Sequence, residues 1–152
     1  MSLRVFVAMP FGSKPDSTGQ TLDFDRIYRE LIRPALEDAG LEVLRADEER
    51  EAGDIRSDLF QELLMADLVV ADLTLDNPNV WYELGVRHAL RARGVILVQG
   101  PRAAQPFDTY TDRKLCYTLV DGAPDPATLA ICRKALGDMA RSTLNAWHGS
   151  KT

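Results

Sequence analysis

Short apolar runs that alternate with segments of helical periodicity constrain this fold more than any other feature of the sequence. The run at residues 68–73, LVVADL, has too few polar residues for a strand with one face in water. Continuous runs of this kind are typical of strands that are covered on both faces, as in parallel sheets. We therefore predict buried strands at residues 3–9, 41–46, 68–73, 95–100 and 114–120.

The segments between these runs carry the three- and four-residue spacing of apolar positions that is typical of amphipathic helices. This spacing predicts helices at residues 22–39, 54–66, 78–93 and 125–147. Asp54 and Asn77 are suitable N-caps, and Pro78 suits the first helical position. Pro34 lies inside the first helix and is expected to remove one backbone hydrogen bond and to bend the helix.

The alternation of strands and helices predicts an α/β fold. Because the strands are too apolar to face water, we expect a three-layer flavodoxin- or Rossmann-like sandwich, with a five-stranded parallel sheet of order 2-1-3-4-5 and helices on both faces. A length of 152 residues fits one domain spanning residues 1–152.

The predicted topology also locates a binding crevice. In such sheets ligands bind outside the carboxyl ends of the strands, here at the switch point between strands one and three. The loops after these strands read PFGSKPDSTGQ at residues 10–20 and TLDNPN at residues 74–79. Topology therefore brings Phe11, Asp72, Asp76 and Glu83 toward one crevice.

Composition excludes several classes of protein. The 18 Lys and Arg residues against 23 Asp and Glu give a net charge of -5, which argues against a nucleic-acid polymer as partner. No run approaches the ~18 apolar residues of a membrane span, and the first ten residues do not resemble a signal peptide, so a cytoplasmic protein without membrane contact is expected. Cys116 and Cys132 lack the spacing of metal ligands, which predicts buried reduced thiols and no metal site. No cofactor is expected.

Glu83 is the carboxylate of greatest interest. Winding helix three at about 100° per residue predicts that one wide apolar arc contains Trp81, Tyr82, Gly85, Val86, Ala89, Leu90 and Ala92. Glu83 falls at the edge of this arc, where partial desolvation would make its carboxylate a better nucleophile or base. Arg87 and Arg91 fall outside the arc, and the alternative is an exposed ion pair between Glu83 and Arg87.

Other residues at the crevice also have structural alternatives. Asp72 can cap the end of its strand, Asp76 and Asn77 can shape a turn, and Trp81 can belong to the core. A receiver-type phosphorylation domain would share the topology and use Asp72, but it needs an acidic pair after strand one, where this chain reads MPFG. A flavin site would need a phosphate loop directly after strand one, which SKPDSTGQ matches only in part.

Several motifs together resemble the nucleoside 2-deoxyribosyltransferase-like superfamily, especially its bacterial TIR-like branch. They are VFVAMPFG, FDRIYRELIRPALEDAG, GDIRSDLFQELLMADLVVADLT, NPNVWYELGVRHAL and QPFD, and they cover about residues 4–120. The resemblance implies a domain that binds a nucleoside, nucleotide or NAD-like ligand and acts on its N-glycosidic bond. It also implies that the chain can form a homodimer, because catalytic members of the family often complete their sites across a dimer interface.

The resemblance further implies roles for individual residues. Glu83, the glutamate of the ELG helix, would be the nucleophile, and Asp72, or Asp76 in the adjoining loop, would orient the sugar hydroxyls or the incoming water. Phe11 would stack on the base. Further contacts with the ligand are expected from Gly12, Asn77, Asn79, Trp81 and Asp108. Asp108 lies in the loop at residues 101–113, for which a lid and a structural corner are both open.

Two departures from the family pattern support a second interpretation. Met9 replaces a glycine that many of its transferases have just before PF, and its thioether would narrow the pocket. Asn77 replaces an aspartate that the family's transferases have six positions before the glutamate, and the lost charge argues against efficient base exchange. Whether the acceptor is water, which gives hydrolysis, or a second base, which gives transfer, stays open. The alternative function is a non-catalytic nucleotide-sensing or protein-interaction module in signalling or defence.

Overall fold

The structure of the chain, a computed structural model, describes residues 3–45, 55–91, 93–102 and 113–149, without the side chains of 55–59 and 147–149. In chain order the strands are β1 (Arg4–Ala8), β2 (Ser13–Pro15), β3 (Thr21–Asp23), β4 (Glu42–Arg45), β5 (Leu68–Asp72), β6 (Val95–Gln99), β7 (Arg113–Cys116), β8 (Leu119–Val120) and β9 (Ala123–Pro124). The helices are α1, which joins Phe24–Ile27, the π-helical Tyr28–Ile32 and Arg33–Asp38, followed by α2 (Ile55–Met65), α3 (Pro78–Leu90) and α4 (Leu129–Gly149).

The central sheet has five parallel strands in the order β4-β1-β5-β6-β7. In β1, Val5 pairs with Val43 of β4 on one side and with Leu68 of β5 on the other. Counted over the sheet alone, this is the order 2-1-3-4-5, so the predicted flavodoxin- or Rossmann-like α/β architecture is confirmed. The buried runs at the centre of the sheet, β5 and β6, are covered on both faces as their composition predicts.

Helices cover the two faces of the sheet in two layers. Val5 and Val7 of β1 belong to the cluster of buried side chains that includes α1 and α4. Phe6 and Ala8, which alternate with them, belong to the smaller cluster that includes side chains of α2 and α3. This alternation follows from the two-residue period of a strand.

Two hairpins outside the central sheet were not predicted. β2 and β3 pair within the segment expected to be a loop after strand one, and β8 pairs with β9. The predicted fifth strand, 114–120, is therefore too long, because residues 119 and 120 belong to the second hairpin. Its turn contains Asp121 and Gly122, both with positive φ, and the Gly122 carbonyl accepts a hydrogen bond from the Asp23 amide at 2.8 Å.

The first helix shows how the chain accommodates Pro34. α1 begins at Phe24, two residues later than predicted, where the Asp23 side chain accepts from the Arg26 amide and acts as N-cap. The turn just before Pro34 is π-helical. Because proline has no N–H for the carbonyl of residue 30, that oxygen accepts from Arg133 Nε at 2.7 Å instead, which ties α1 to α4.

The remaining boundaries differ by a few residues. α3 begins at Pro78 with Asn77 as its N-cap, as predicted, but ends at Leu90 rather than near residue 93. α4 begins at Leu129 rather than at residue 125, because Asp125 forms a turn in which it accepts from the Ala127 amide at 2.9 Å. The predicted N-cap Asp54 lies outside the described residues.

The structure also bears on the expected state of the cysteines and on the expectations about metal ions and membranes. Both cysteines are free, but Cys116 is exposed and Cys132 only half-buried. The predicted burial is wrong for Cys116, since β7 is an edge strand with one open side. Within the described ranges, no cluster of three or more His, Cys, Asp or Glu side chains could hold a metal ion. No helix in this part of the chain has the length and apolar character needed to cross a bilayer.

Candidate active site

A cavity of about 970 Å³ opens at the carboxyl edge of the sheet. Its walls come from three connections: the β2–β3 hairpin between Lys14 and Gln20, residues 74–78 from the end of β5 to the first residue of α3, and Pro101 with Arg102 after β6. The loops after the first and third strands of the sheet therefore meet, as the topology predicts. The volume is at the upper end of the range typical of small-molecule sites, roughly 300–1,000 Å³.

The inner wall of this cavity rests on a buried hydrogen-bond network around Asp72. Asp72 Oδ1 accepts from the Thr74 amide at 2.9 Å, and Oδ2 accepts from the Tyr117 hydroxyl at 2.6 Å. The Thr74 and Tyr117 hydroxyl oxygens lie 2.9 Å apart, and the Gly100 amide donates to Thr74 Oγ1 at 2.9 Å. The network thus joins the ends of β5, β6 and β7.

Burial dominates the electrostatics of this network. Asp72 has no exposed surface, and desolvation raises the pKa of its carboxyl against the opposing hydrogen bonds from Thr74 and Tyr117. Burial and the adjacent Asp72 raise the pKa of the Tyr117 hydroxyl well above its ordinary value. Asp72 is therefore enclosed by protein groups, and the expected contact between Asp72 and a ligand stays a prediction.

Asp76 and Asn77 line the cavity, and both also hold the loop in place. Asp76 Oδ1 accepts from Arg102 Nη2 at 2.9 Å, while Arg102 Nη1 donates to the Leu73 carbonyl at 2.7 Å. Asn77 Oδ1 accepts from the backbone amides of residues 79 and 80 at the start of α3. The turn-shaping alternative thus describes Asn77, and Asp76 remains 60 % exposed at the cavity.

Phe11 and Gly12 lie at a different cluster, next to the end of β4. The Arg45 guanidinium lies 5.0 Å from the centroid of the Phe11 ring and 4.5 Å from that of Tyr28. Asp25 Oδ1 accepts from Arg45 Nη2 and from the Gly12 amide, both at 3.0 Å. The Gly12 hydrogen bond, helped by Arg45 and opposed by partial burial, lowers the pKa of the Asp25 carboxyl.

This cluster modifies the expected role of Phe11. Neither Phe11 nor Gly12 is among the residues that line the 970 Å³ cavity. One face of the half-buried Phe11 ring is engaged by Arg45, and Gly12 adopts φ +68°, a conformation that favours glycine. Stacking of a base on Phe11 therefore stays a prediction.

Glu83 lies on the buried side of α3 and is only 8 % exposed. The buried residues of this helix are Val80, Glu83, Leu84 and Arg87. The predicted apolar arc is thus wrong in phase, because Tyr82 is 56 % exposed, Leu90 is 54 % exposed and Arg87 is fully buried. At about 100° per residue Glu83 falls at one edge of this buried set, and it does not line the 970 Å³ cavity.

Arg87 explains why the phase was missed. Its Nη1 donates to the carbonyls of Leu63 and Ala66 at 2.8 and 2.7 Å, and its Nη2 donates to the Arg93 carbonyl at 2.8 Å. Burial, followed by the nearby Arg91, lowers the pKa of Arg87 to about 10. The guanidinium replaces a C-cap for α2, so the exposed pair with Glu83 that the sequence offered as an alternative does not describe this buried site.

The remaining expected site residues have varied surroundings. Trp81 is half-buried and packs against the core cluster under α2 and α3, which agrees with its core alternative. Asn79 is exposed at the start of α3. Met9 is 3 % exposed and belongs to the core under α1 and α4. Asp108 lies outside the described residues.

The sequence did not point to Thr74, Tyr117, Arg102 or Arg45. Thr74 follows the ADL motif directly, so its position at a strand end was a usable signal. Tyr117 is 43 residues further along the chain, and only the pairing of β7 beside β6 brings it to Asp72. Long-range contacts of this kind leave no local pattern in one sequence.

No family model matches the chain, and no curated protein matches it. Among solved structures, the fold is similar to the CMP N-glycosidase BcmB of Clostridium botulinum, with a TM-score of 0.48 and 16 % identity over 76 % of this chain and 88 % of that chain. It is also similar to a response regulator receiver protein of Sinorhizobium medicae, with a TM-score of 0.39 and 13 % identity over 91 % and 97 % of the two chains. At these values neither likeness carries an argument about activity.

Proposed function

We propose that this chain binds a nucleoside, nucleotide or NAD-like ligand and cleaves or transfers its N-glycosidic bond, with Glu83 as the nucleophile. The observation that carries the proposal is the burial of Glu83, at 8 % exposure, in the first two turns of the helix that follows the cavity loop. A carboxylate with so little exposure does not serve to solubilise its helix, and carboxylates held away from water are common at functional sites.

The chemistry suits a carboxylate. As the bond between the anomeric carbon and the base nitrogen breaks, its electron pair leaves with the base, and positive charge develops at the sugar. Glu83 would stabilise this charge or form an ester bond to the anomeric carbon. Water that attacks next gives hydrolysis: its oxygen bonds to the anomeric carbon, the bond to Glu83 breaks with its electron pair returning to the carboxylate, and the water proton ends on the departed base nitrogen. The nitrogen of a second base in place of water gives transfer.

The cavity supplies surroundings that fit such a ligand. Its walls combine the hydroxyl of Thr18, the amides of Gln20 and Asn77, and the charges of Asp76 and Arg102. Groups of these types bind sugar hydroxyls, base edges and phosphate oxygens. A ligand placed here would need its anomeric carbon directed toward α3 to reach Glu83, which the proposal therefore requires.

Release of free base tests the proposal. Purified protein is incubated with adenosine, cytidine, their 2′-deoxy forms, their 5′-monophosphates and NAD, and the free base is quantified by chromatography. We expect release from at least one of these, and none from Glu83→Gln. If no compound yields base with either protein, catalysis by this chain is contradicted.

A second candidate function is supported by the positions of Asp72 and Glu83, because neither carboxylate is exposed to the cavity as the structure stands. Asp72 has both oxygens bonded to protein groups, and Glu83 is not among the residues that line the cavity. These features also suit a module that binds a nucleotide without cleaving it, or that contacts another protein. Calorimetry distinguishes the alternatives, because a sensor shows saturable heats with the same compounds and releases no base.

A further inference from the structure

Thr74 occupies a position on the cavity wall that the proposed reaction does not use. The residue is only 3 % exposed, yet it is one of those that line the cavity. It lies at the junction of three strand ends, bonded to Tyr117, Asp72 and Gly100. Its orientation is therefore fixed by the protein before any ligand arrives.

Counting hydrogens gives the direction of every bond in this network. A hydroxyl has one hydrogen to donate and two lone pairs that accept. Because the Tyr117 hydroxyl donates to Asp72 Oδ2, the hydrogen shared between the two hydroxyls must come from Thr74. The Gly100 amide occupies one lone pair of Thr74 Oγ1. The Thr74 hydroxyl also lies within reach of the Asp72 carboxylate, which can only accept, so this oxygen retains one acceptor site.

We propose that Thr74 is a ligand-contacting residue of this cavity, whose Oγ1 accepts a hydrogen bond from a hydroxyl or amino group of the ligand, and that Tyr117 and Asp72 are positioning residues for it. The proposal rests on the ligand class proposed above. It assigns to Thr74 a preference for ligand groups that donate, because its own hydrogen is already given to Tyr117.

The surroundings explain why Thr74, rather than another residue of the cavity, would select ligands by a hydrogen bond. Asp16, which also lines the cavity, has one oxygen that accepts from the amide and hydroxyl of Thr18 and from the Gln20 amide. Asp76 is paired with Arg102. Thr74 is held more tightly still, because a Cβ on Gly100 would lie 3.2 Å from the Tyr117 ring and 3.3 Å from the Thr74 methyl. A pre-organised acceptor costs little entropy on binding.

The network also predicts how its direction could be reversed. In Asp72→Asn, the side-chain amide would donate to the Tyr117 oxygen. Tyr117 would then donate to Thr74, and the Thr74 hydrogen would point to the cavity. The variant should lose the preference for a donating ligand group, while the cavity itself stays intact.

Calorimetric titration of the full chain tests this inference. The probes are adenosine and cytidine, each with its 2′-deoxy, 3′-deoxy and 5′-deoxy analogue and its 5′-monophosphate. We expect the wild type to bind at least one parent compound about tenfold more tightly than the analogue that lacks the donating hydroxyl, since one net hydrogen bond is worth about a factor of ten. Thr74→Val should lose this discrimination, and Thr74→Ser should retain it.

The outcomes separate this inference from the proposed function. If the parent compounds bind and Thr74→Val still discriminates like the wild type, Thr74 is not the contact and the inference fails alone. If neither these probes nor NAD bind to the wild type, the proposed function fails and the inference fails with it. Should Thr74→Val not fold, Tyr117→Phe replaces it. If Tyr117 positions Thr74, this variant should reduce the ratio of the affinities for the parent compound and its deoxy analogue. If Tyr117 is purely structural, only thermal stability should fall.

Discussion

Helices α1 and α3 cover opposite faces of the same sheet but bury different kinds of side chain. The buried residues of α1 are all apolar or aromatic, and they form a continuous core with α4. Two of the four buried residues of α3, Glu83 and Arg87, carry ionisable groups. The face under α1 is built for stability, whereas the face under α3 includes charges that a core alone does not need.

The contrast teaches how a buried charge should be interpreted. Arg87 donates from Nη1 and Nη2 to backbone carbonyls at the end of α2 and before β6, although its buried Nε has no partner among the described residues. Its burial therefore has a structural explanation for most of the guanidinium. Asp72 likewise belongs to a network that fixes the cavity wall. Glu83 is also buried, at 8 % exposure, and it is the buried carboxylate on the helix that follows the cavity loop, which is why the proposed reaction assigns the chemistry to it.

Substitutions of one buried residue on each face of the sheet should give the largest effects on stability and so compare the two faces directly. Arg87→Met removes the donors of the Leu63, Ala66 and Arg93 carbonyls, and we expect a loss of about 2 kcal/mol in the free energy of unfolding, since buried acceptors are left without partners. Leu31→Ala, on the apolar face at 2 % exposure, should cost about 3 kcal/mol through cavity formation. Urea denaturation measures both.

Two controls sharpen this comparison. Arg33→Met alters an exposed ion pair with Glu37 and should change stability by no more than about 0.5 kcal/mol. Arg87→Lys keeps the charge but has fewer donors, so it should lie between the wild type and Arg87→Met. An Arg87→Met protein as stable as the wild type would show that the buried guanidinium is replaceable by apolar packing, and the contrast between the faces would be lost.

A smaller effect should follow from the raised pKa of Asp72. The carboxyl has an ordinary pKa of 3.8 in the unfolded chain and a higher one in the folded protein. Below pH 3.8 both states are protonated, so burial has no ionisation cost. As the pH rises above 3.8 toward the folded-state pKa, the unfolded chain loses its proton first, and stability falls.

The difference between wild type and Asp72→Asn isolates this contribution. Denaturation between pH 3 and pH 8 should show the variant gaining on the wild type as the pH rises through this window, and a constant difference would contradict the account of Asp72. Asp16→Asn is a control, because the contribution of Asp16 to stability should depend on pH in the opposite direction. The hydrogen bonds from Thr18 and Gln20 lower the pKa of the Asp16 carboxyl, so its contribution is lost as the pH falls below 3.8.

The sequence predicted the sheet order and the meeting of two loops, because both follow from apolar runs and chain topology. It placed Asp72, Asp76 and Asn77 near the cavity or its wall for the same reason. The stripe of α3 could not be predicted, since a helical wheel treats Arg87 as an exposed residue and cannot foresee carbonyls supplied by α2. Tyr117 could not be predicted because its partners are far apart in the chain.

The central claim is that Glu83 acts on the glycosidic bond, and kcat/KM for base release tests it most directly. With the best substrate of the panel, Glu83→Gln should lower kcat/KM by about a thousandfold or more. Glu37→Gln, the same substitution at a side chain that is 50 % exposed on α1, should leave the rate unchanged. A Glu83→Gln protein within about tenfold of the wild-type rate would contradict the account.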